Sequence, residues 1–250
     1  MAPPPPSYVT YFWRDPSGTI ELATLLESRT TIEGGTTGLK TWPASLTLAS
    51  YLIKNPDIVR NKRVLELGCG AGLLGIVAAT VQSSRTERGT QTSITLTDVR
   101  PDVLERCQHN FQLPCNKSSR NPHIRVETLD WEESSSQARA HSDFQTKLAE
   151  MDAELVLGAD IVFDPDLIPA LASTLVSVLQ PPRPNSKQRE ALIALTLRNP
   201  DTLASFLHAA EERLHLEKIA FEENDNPFLG VSYGTEKQNV QIYKMRNKMQ

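Results

Sequence analysis

One stretch constrains the fold of this chain more than any other. An apolar run at 64–67 is followed by glycines at alternate positions and then by a second apolar run at 73–79. The glycines are Gly68, Gly70 and Gly72. This pattern predicts a short buried strand, a turn without side chains and a helix. Because bare backbone N–H groups at a helix N-terminus can lie directly against a ligand, the stretch predicts a nucleotide-type binding site.

Two acids indicate which nucleotide the site suits. Residues 70–75 also satisfy the G-x-G-x-x-G dinucleotide pattern, which alone is a weak signal. Glu66 precedes the first glycine by two residues, and we expect its carboxylate to point from the strand end toward the pocket. A carboxylate there would repel a pyrophosphate but suit a ligand with an ammonium and a sulfonium. Asp98 ends the next strand pattern, 94–98, and can accept hydrogen bonds from both ribose hydroxyls.

An acid, three spaced glycines and a second acid after one helix and one strand together resemble the Rossmann-like, class I methyltransferases. That resemblance implies S-adenosylmethionine as cofactor. It also implies an α/β fold, with a seven-stranded, mostly parallel sheet and helices on both faces. Two alternatives stay open: a glycine turn that only packs a helix on a strand, and a site for NAD.

Composition limits the class of protein. At 250 residues and 39% hydrophobic content the chain can bury one substantial core. We expect a methyltransferase domain at 41–250, preceded by an N-terminal arm at 1–40 with a proline-rich tip. The aromatic cluster around Trp13 suggests that this arm packs back onto the core. Residues 82–91 have no periodicity and are interpreted as a surface insertion.

Charge and cysteine content restrict the partners. A net charge of −4 argues against direct binding of nucleic acid through its phosphates, but it is compatible with a basic protein substrate. The three cysteines fall on no metal-binding spacing, which favours a reduced compartment and no metal. No apolar run approaches the roughly 20 residues that a membrane helix needs. We therefore expect a cytoplasmic monomer that binds no membrane.

A second informative segment precedes the glycine motif. The loop Thr-Thr-Gly-Leu-x-Thr-Trp at 36–42 is followed by a helix pattern and then by Val-Leu-Glu-Leu-Gly-x-Gly-x-Gly. This order is similar to the protein-lysine methyltransferase family often called methyltransferase family 16. Within it, residues 28–42 look most like the branch that methylates translation elongation factor 2. The resemblance implies that factor as the protein substrate, and it implies that Trp42 borders the methyl donor. A buried aromatic at the start of a helix is the alternative for Trp42.

Two further strand ends carry candidate site residues. The alternating run 124–129 ends in Asp130 and Trp131, which can hydrogen-bond an adenine amino group and stack on its ring. The buried run that begins at 155 reaches the carboxyl edge of the sheet at Ala159, whose small side chain leaves room for a ligand. Between these strands, residues 132–150 are rich in Ser, Glu and Lys, and we expect a mobile excursion with about one helical turn.

The chemistry is expected just beyond Ala159. Asp160 and Asp164 supply two carboxylates at the mouth, with Phe163 between them. We expect an in-line displacement in which Asp160 holds the incoming lysine ammonium. An aromatic set of Trp42, Phe163 and Tyr233 would receive the methylated product by cation–π contact. The family motif is commonly Asp-x-x-Tyr, whereas this chain has Phe163.

Other functions compatible with the same donor site remain. The substrate can be another protein, such as a chaperone, or a small molecule. A donor-binding interaction protein without catalysis is a third possibility.

Overall fold

The computed structural model describes residues 4–83, 92–135, 138–181, 188–221, 227–230 and 239–248. Its strands are β1 (Ser7–Arg14), β2 (Ile20–Glu27), β3 (Arg63–Leu67), β4 (Ser93–Asp98), β5 (Ile124–Thr128), β6 (Leu155–Ala159), β7 (Glu190–Thr196), β8 (Leu214–Ile219), β9 (Phe228–Leu229) and β10 (Val240–Asn247). Its helices are α1 (Pro43–Lys54), α2 (Leu73–Ser83), α3 (Pro101–Gln112), α4 (Ala138–Met151), α5 (Ile168–Leu179) and α6 (Pro200–Glu211).

Seven strands form the central sheet, in the order β5-β4-β3-β6-β7-β10-β8. The first five are parallel, and β10 runs antiparallel to both of its neighbours. This arrangement confirms the predicted α/β fold with its mostly parallel sheet. The chain order reverses between β3 and β6, and in open sheets of this kind ligands bind at the carboxyl ends of the strands beside such a reversal.

Helices cover both faces of the sheet. Successive residues of β3 point to opposite faces of the sheet. Val64 packs in the core that contains α1 and α2, whereas Leu65 packs in the core that contains α4, α5 and α6. Because the central strands are buried on both faces, they are continuous apolar runs, which is why the sequence revealed them. Within the described residues, no helix has the length and apolar character to cross a membrane.

Helix α4 contradicts the expectation of a mobile excursion at 132–150. Phe144, Leu148 and Met151 stand at helical spacing, and all three are at least 97% buried against the sheet. Ser142, Asp143 and Glu150 on the other face of the helix are exposed, so the polar composition hid a narrow apolar face. A helix therefore begins where the polar residues alone predicted a loop.

The N-terminal residues form a β-hairpin that packs on the main domain. Strands β1 and β2 pair antiparallel, and β9 adds to β1 through Phe12 and Trp13. The Trp13 side chain is 1% exposed, and its ring lies 5.7 Å from that of Phe228. The hairpin thus shares the core, as the aromatic cluster suggested. The domain boundary at residue 40 stays a prediction.

The outer edge of the hairpin is paired by side chains instead of by a strand. The Asn116 amide accepts from the Thr24 N–H and donates to the Thr24 carbonyl. The Asn110 amide does the same with Leu26. Asn110 also donates to the Ala71 carbonyl at 2.9 Å. One buried amide therefore connects the hairpin, α3 and the glycine turn.

Candidate active site

A cavity of about 210 Å³ opens at the carboxyl ends of β3, β4 and β6. Ten of the predicted site residues line it: Trp42, Gly68, Gly70, Gly72, Asp98, Asp130, Trp131, Ala159, Asp160 and Phe163. Glu66 and Asp164 do not line it, and Tyr233 lies outside the described residues. The sequence placed these residues on separate strands and loops, and the fold brings them together around one cavity.

The glycine turn forms the floor of the cavity, and its geometry requires glycine. Gly68, Gly70 and Gly72 have φ values of 64°, 51° and 94°, in the left-handed region that other residues seldom adopt. A Cβ on Gly68 would lie 2.8 Å from the Ile161 Cγ2 and 3.7 Å from the Trp131 ring. A Cβ on Gly72 would lie 2.9 Å from the Cys107 Sγ. These three positions therefore have to stay glycine, and their backbone lies directly against the cavity.

Glu66 lies under the turn and does not reach the cavity, contrary to the sequence expectation. It shares the sheet face of Val64, because side chains alternate along a strand, and it is 2% exposed. The N–H of Gly75, in the first turn of α2, hydrogen-bonds its carboxyl group. Burial raises the pKa of Glu66 well above its ordinary value, and the Gly75 hydrogen bond only partly opposes this. Glu66 therefore supports the helix from below.

Asp98 ends β4 and lines the cavity, and its role as the ribose acceptor stays a prediction. Its Oδ1 accepts a hydrogen bond from the Arg100 N–H at 3.2 Å. Partial burial raises the pKa of Asp98, while backbone N–H groups, including that of Gly70, oppose the rise. The carboxylate is thus fixed beside the glycine turn as an acceptor.

Asp130 and Trp131 follow β5 and form the opposite side of the cavity. The Asp130 Oδ1 accepts from the Glu132 N–H at 2.9 Å, which fixes the carboxylate at the start of a short 3-10 turn. The half-buried Trp131 ring stands over Gly68. An acceptor and an aromatic face therefore lie together at this wall.

Trp42 occupies the start of α1, directly before Pro43. Its indole Nε1 donates to the Thr37 carbonyl at 2.9 Å. The preceding residue, Thr41, donates its hydroxyl to the Glu27 carboxylate at 2.6 Å. The buried Glu27 at the end of β2 thereby fixes the loop that carries Trp42. Sequence reasoning missed Glu27, although an acid that ends an apolar alternation was an available signal.

Asp160 is held in place by three donors. Its Oδ1 accepts from the Thr196 N–H at 2.8 Å, and its Oδ2 accepts from the Thr196 hydroxyl at 2.9 Å and from Arg198 Nη2 at 3.0 Å. The backbone of Asp160 is left-handed, with φ of 54°. Arg198 also lies over the Trp42 ring, 4.5 Å from its centroid. Sequence reasoning missed Thr196 and Arg198, whose signal was a hydroxyl and a cation at the end of the neighbouring strand.

The other two residues of the predicted catalytic set, Phe163 and Asp164, differ in position. Phe163 lines the cavity and is 58% exposed, so its ring is available to a substrate. Asp164 does not line the cavity, and its carboxylate caps the 3-10 turn at Pro165–Leu167 by accepting from the Asp166 N–H at 3.0 Å. This position contradicts the expectation that Asp164 stands at the mouth. Tyr233 lies outside the described residues.

Comparison with known proteins decides the family. A family model described as "Lysine methyltransferase" matches residues 25–213. The chain belongs to this family. Protein-lysine N-methyltransferase EEF2KMT of Homo sapiens is 33% identical over 190 residues, which cover 73% of this chain and 52% of that protein. Protein-lysine N-methyltransferase EFM3 of Chaetomium thermophilum is 34% identical over 213 residues, covering 82% and 57%. The chain thus spans about half the length of these relatives.

Solved structures confirm the fold. A SAM-dependent O-methyltransferase from Thermotoga maritima superposes with a TM-score of 0.50 at 12% identity, covering 96% of this chain and 78% of that one. The methyltransferase domain of bacterial CtHen1-C gives a TM-score of 0.50 at 13% identity, covering 82% and 100%. These likenesses concern the fold alone. The resemblance to the lysine methyltransferase family and to its branch is confirmed by the family model and the named relatives.

Proposed function

We propose that this chain is an S-adenosylmethionine-dependent protein-lysine N-methyltransferase whose substrate is translation elongation factor 2. The observation that carries the proposal is the bare turn 68–72 between Asp98 and Trp131, in a chain of the lysine methyltransferase family. The choice of elongation factor 2 is supported by the pattern at 28–42 and by relatives named EEF2KMT and EFM3.

The residues around the cavity fit S-adenosylmethionine. The bare backbone of Gly68 and Gly70 admits its chain, Asp98 can accept from its ribose hydroxyls, and Trp131 with Asp130 can hold its adenine. When bound, this cofactor supplies a methyl group activated on a sulfonium.

An NAD-type site fits less well. A pyrophosphate needs the free N–H groups and the positive end of a helix N-terminus. In α2 the Glu66 carboxyl group already accepts from the Gly75 N–H, and Asp98 adds a second acid beside the turn. Both features lower the affinity of the site for an anion, so they favour a donor that carries positive charge.

The chain's residues prepare the methyl-accepting amine. A free lysine amine has a pKa of about 10.4, so only about one in a few thousand is neutral and nucleophilic at pH 7. The small Ala159 leaves space for the amine, while Trp42 and Phe163 provide apolar walls that exclude water. Asp160 fixes a negative charge at the wall where the amine enters, and the displaced proton leaves to solvent at the mouth.

Mass spectrometry tests this function. The purified chain is incubated with purified elongation factor 2 and deuterated S-adenosylmethionine, and the label is mapped. We expect deuterated methyl groups on a lysine side chain. Asp160→Asn keeps the residue's shape and its tolerance of left-handed φ, but its amide NH2 replaces a carboxylate oxygen that accepts from Thr196 and Arg198. The side chain should therefore lose its fixed position at the wall, and the rate should fall by about tenfold or more. The exposed Asp201→Asn, at the start of α6, is the matched control and should stay within about twofold.

A chain that binds S-adenosylmethionine but labels no lysine of elongation factor 2 would contradict the proposal. The same incubation in a cell lysate then separates the alternatives, because label on another protein or on a small molecule identifies a different substrate. If no molecule in the lysate is labelled, the chain is a donor-binding protein without catalysis. The cytoplasmic location and the monomeric state stay predictions of the sequence.

A further inference from the structure

Arg198 joins two walls of the cavity without lining it. Its Nη2 donates to the Asp160 Oδ2 at 3.0 Å, and its guanidinium carbon lies 4.5 Å from the centroid of the Trp42 ring. Asp160 and Trp42 both line the cavity, whereas Arg198 is absent from its wall. The guanidinium therefore contacts both groups from outside the cavity, with its side chain 47% exposed to solvent.

The ion pair is well placed to control charge at the amine. The Asp160 side chain is 7% exposed and that of Arg198 is 47% exposed, so water screens the pair from the Arg198 side and only weakly from the Asp160 side. Both of its oxygens are held by Thr196, which leaves the carboxylate one orientation. A lone carboxylate at this position would stabilise an ammonium and raise the pKa of the incoming amine, which opposes catalysis.

We propose that Arg198 is a positioning residue that acts through Asp160. Its guanidinium fixes the Asp160 carboxylate and offsets its charge, so that the target amine is bound in its neutral, nucleophilic form. It also holds the Trp42 ring in place through the cation–π contact. This inference rests on the proposed lysine methyltransferase function and assigns Arg198 a role in setting the pH range of that reaction.

Other charged groups surround the mouth and stay constant in the test. Those that line the cavity are Lys40, Asp98, Arg100, Asp130 and Glu132. Lys40 lies 5.5 Å from the Trp42 ring, farther than Arg198. Asp164 caps its own turn, and Asp201 stands in the first turn of α6. None of these groups is altered in the variants below. A change in the pH dependence of the reaction is therefore caused by the loss of the Arg198 charge.

The pH profile of kcat at saturating elongation factor 2 is the first readout, because kcat reports the pKa values of groups in the enzyme–substrate complex. Arg198→Gln removes the charge, so the amine's pKa should rise and the ascending limb should move to higher pH by about one unit or more. Arg198→Lys keeps the charge and should stay near the wild-type position. Arg246→Gln, which breaks an ion pair between Arg246 of β10 and Glu190 of β7, is the matched control and should not move the limb. Arg198→Met serves as a second uncharged variant if Arg198→Gln fails to fold.

Proton release on binding is the second readout and requires no turnover. Elongation factor 2 is titrated into the chain with S-adenosylhomocysteine present, by calorimetry in two buffers of different ionisation enthalpy. The wild type should release a proton as the amine becomes neutral, and Arg198→Gln should release markedly less.

Two failures are distinguishable. If the wild type methylates elongation factor 2 but the limb and the proton release are the same in Arg198→Gln, the inference about Arg198 is wrong while the proposed function stands. If the wild type binds S-adenosylmethionine and methylates no lysine, the proposed function is wrong and this inference is overturned with it.

Discussion

At the scale of single residues, Trp131 offers the sharpest test of donor binding. Its ring stands over Gly68 at the cavity floor, where an adenine can stack on it. We expect Trp131→Ala to weaken S-adenosylmethionine binding by about 1–3 kcal/mol, the scale of base–aromatic stacking. Calorimetric titration measures this, and Trp131→Phe should retain most of the affinity. Unchanged binding in Trp131→Ala would mean that the ring only packs.

The raised pKa of Glu66 predicts how the free energy of unfolding depends on pH. Because burial raises its pKa in the folded state, the folded chain binds a proton more tightly than the unfolded chain does. The contribution of Glu66 to the free energy of unfolding therefore falls as the pH rises above the ordinary value of 4.5. Glu66→Gln should flatten this loss, which thermal melts between pH 4 and 8 can measure. A parallel pH dependence in both proteins would contradict the account.

At the scale of elements, Asn110 couples the N-terminal hairpin to the glycine turn. Its buried amide bonds the Leu26 backbone and the Ala71 carbonyl. Asn110→Ala should lower the free energy of unfolding by about 1–3 kcal/mol, because these buried groups lose their partner, and it should also weaken S-adenosylmethionine binding. Asn116→Ala is the matched control, since Asn116 bonds β2 at Thr24 and the Asn110 carbonyl but makes no hydrogen bond to the turn. Equal donor affinity in the two variants would contradict the coupling.

The sequence predicted the elements whose signals are local. The strand, turn and helix at 64–79 carry their own pattern, and the buried strands are apolar throughout because helices cover both faces. Helix α4 escaped prediction because its apolar face is only one residue wide per turn. The predicted direction of the Glu66 side chain was wrong because packing decides which face of β3 lies against α2, and the strand's own sequence does not show this. Arg198 was missed because its partners, Asp160 and Trp42, are far away in the sequence and meet only in the fold.

At the scale of the whole molecule, the hairpin and the main domain should unfold together. Trp13 is 1% exposed and belongs to the same core as α1 and α2. Trp13→Ala should lower the free energy of unfolding by about 3–5 kcal/mol, the usual cost of removing a buried aromatic side chain. Calorimetry should show a single transition at a lower temperature. Two separate transitions, with the main one unmoved, would show that the hairpin is an independent unit.

The central claim is that the bare turn beside Asp98 binds a sulfonium nucleoside. Calorimetric titration of the wild-type chain with S-adenosylmethionine, and separately with NAD, tests it most directly, with Asp98→Ala as the variant that removes the ribose acceptor. We expect the wild type to bind S-adenosylmethionine at one site, Asp98→Ala to bind it at least about tenfold more weakly, and NAD not to bind. Binding of NAD without binding of S-adenosylmethionine would contradict the account.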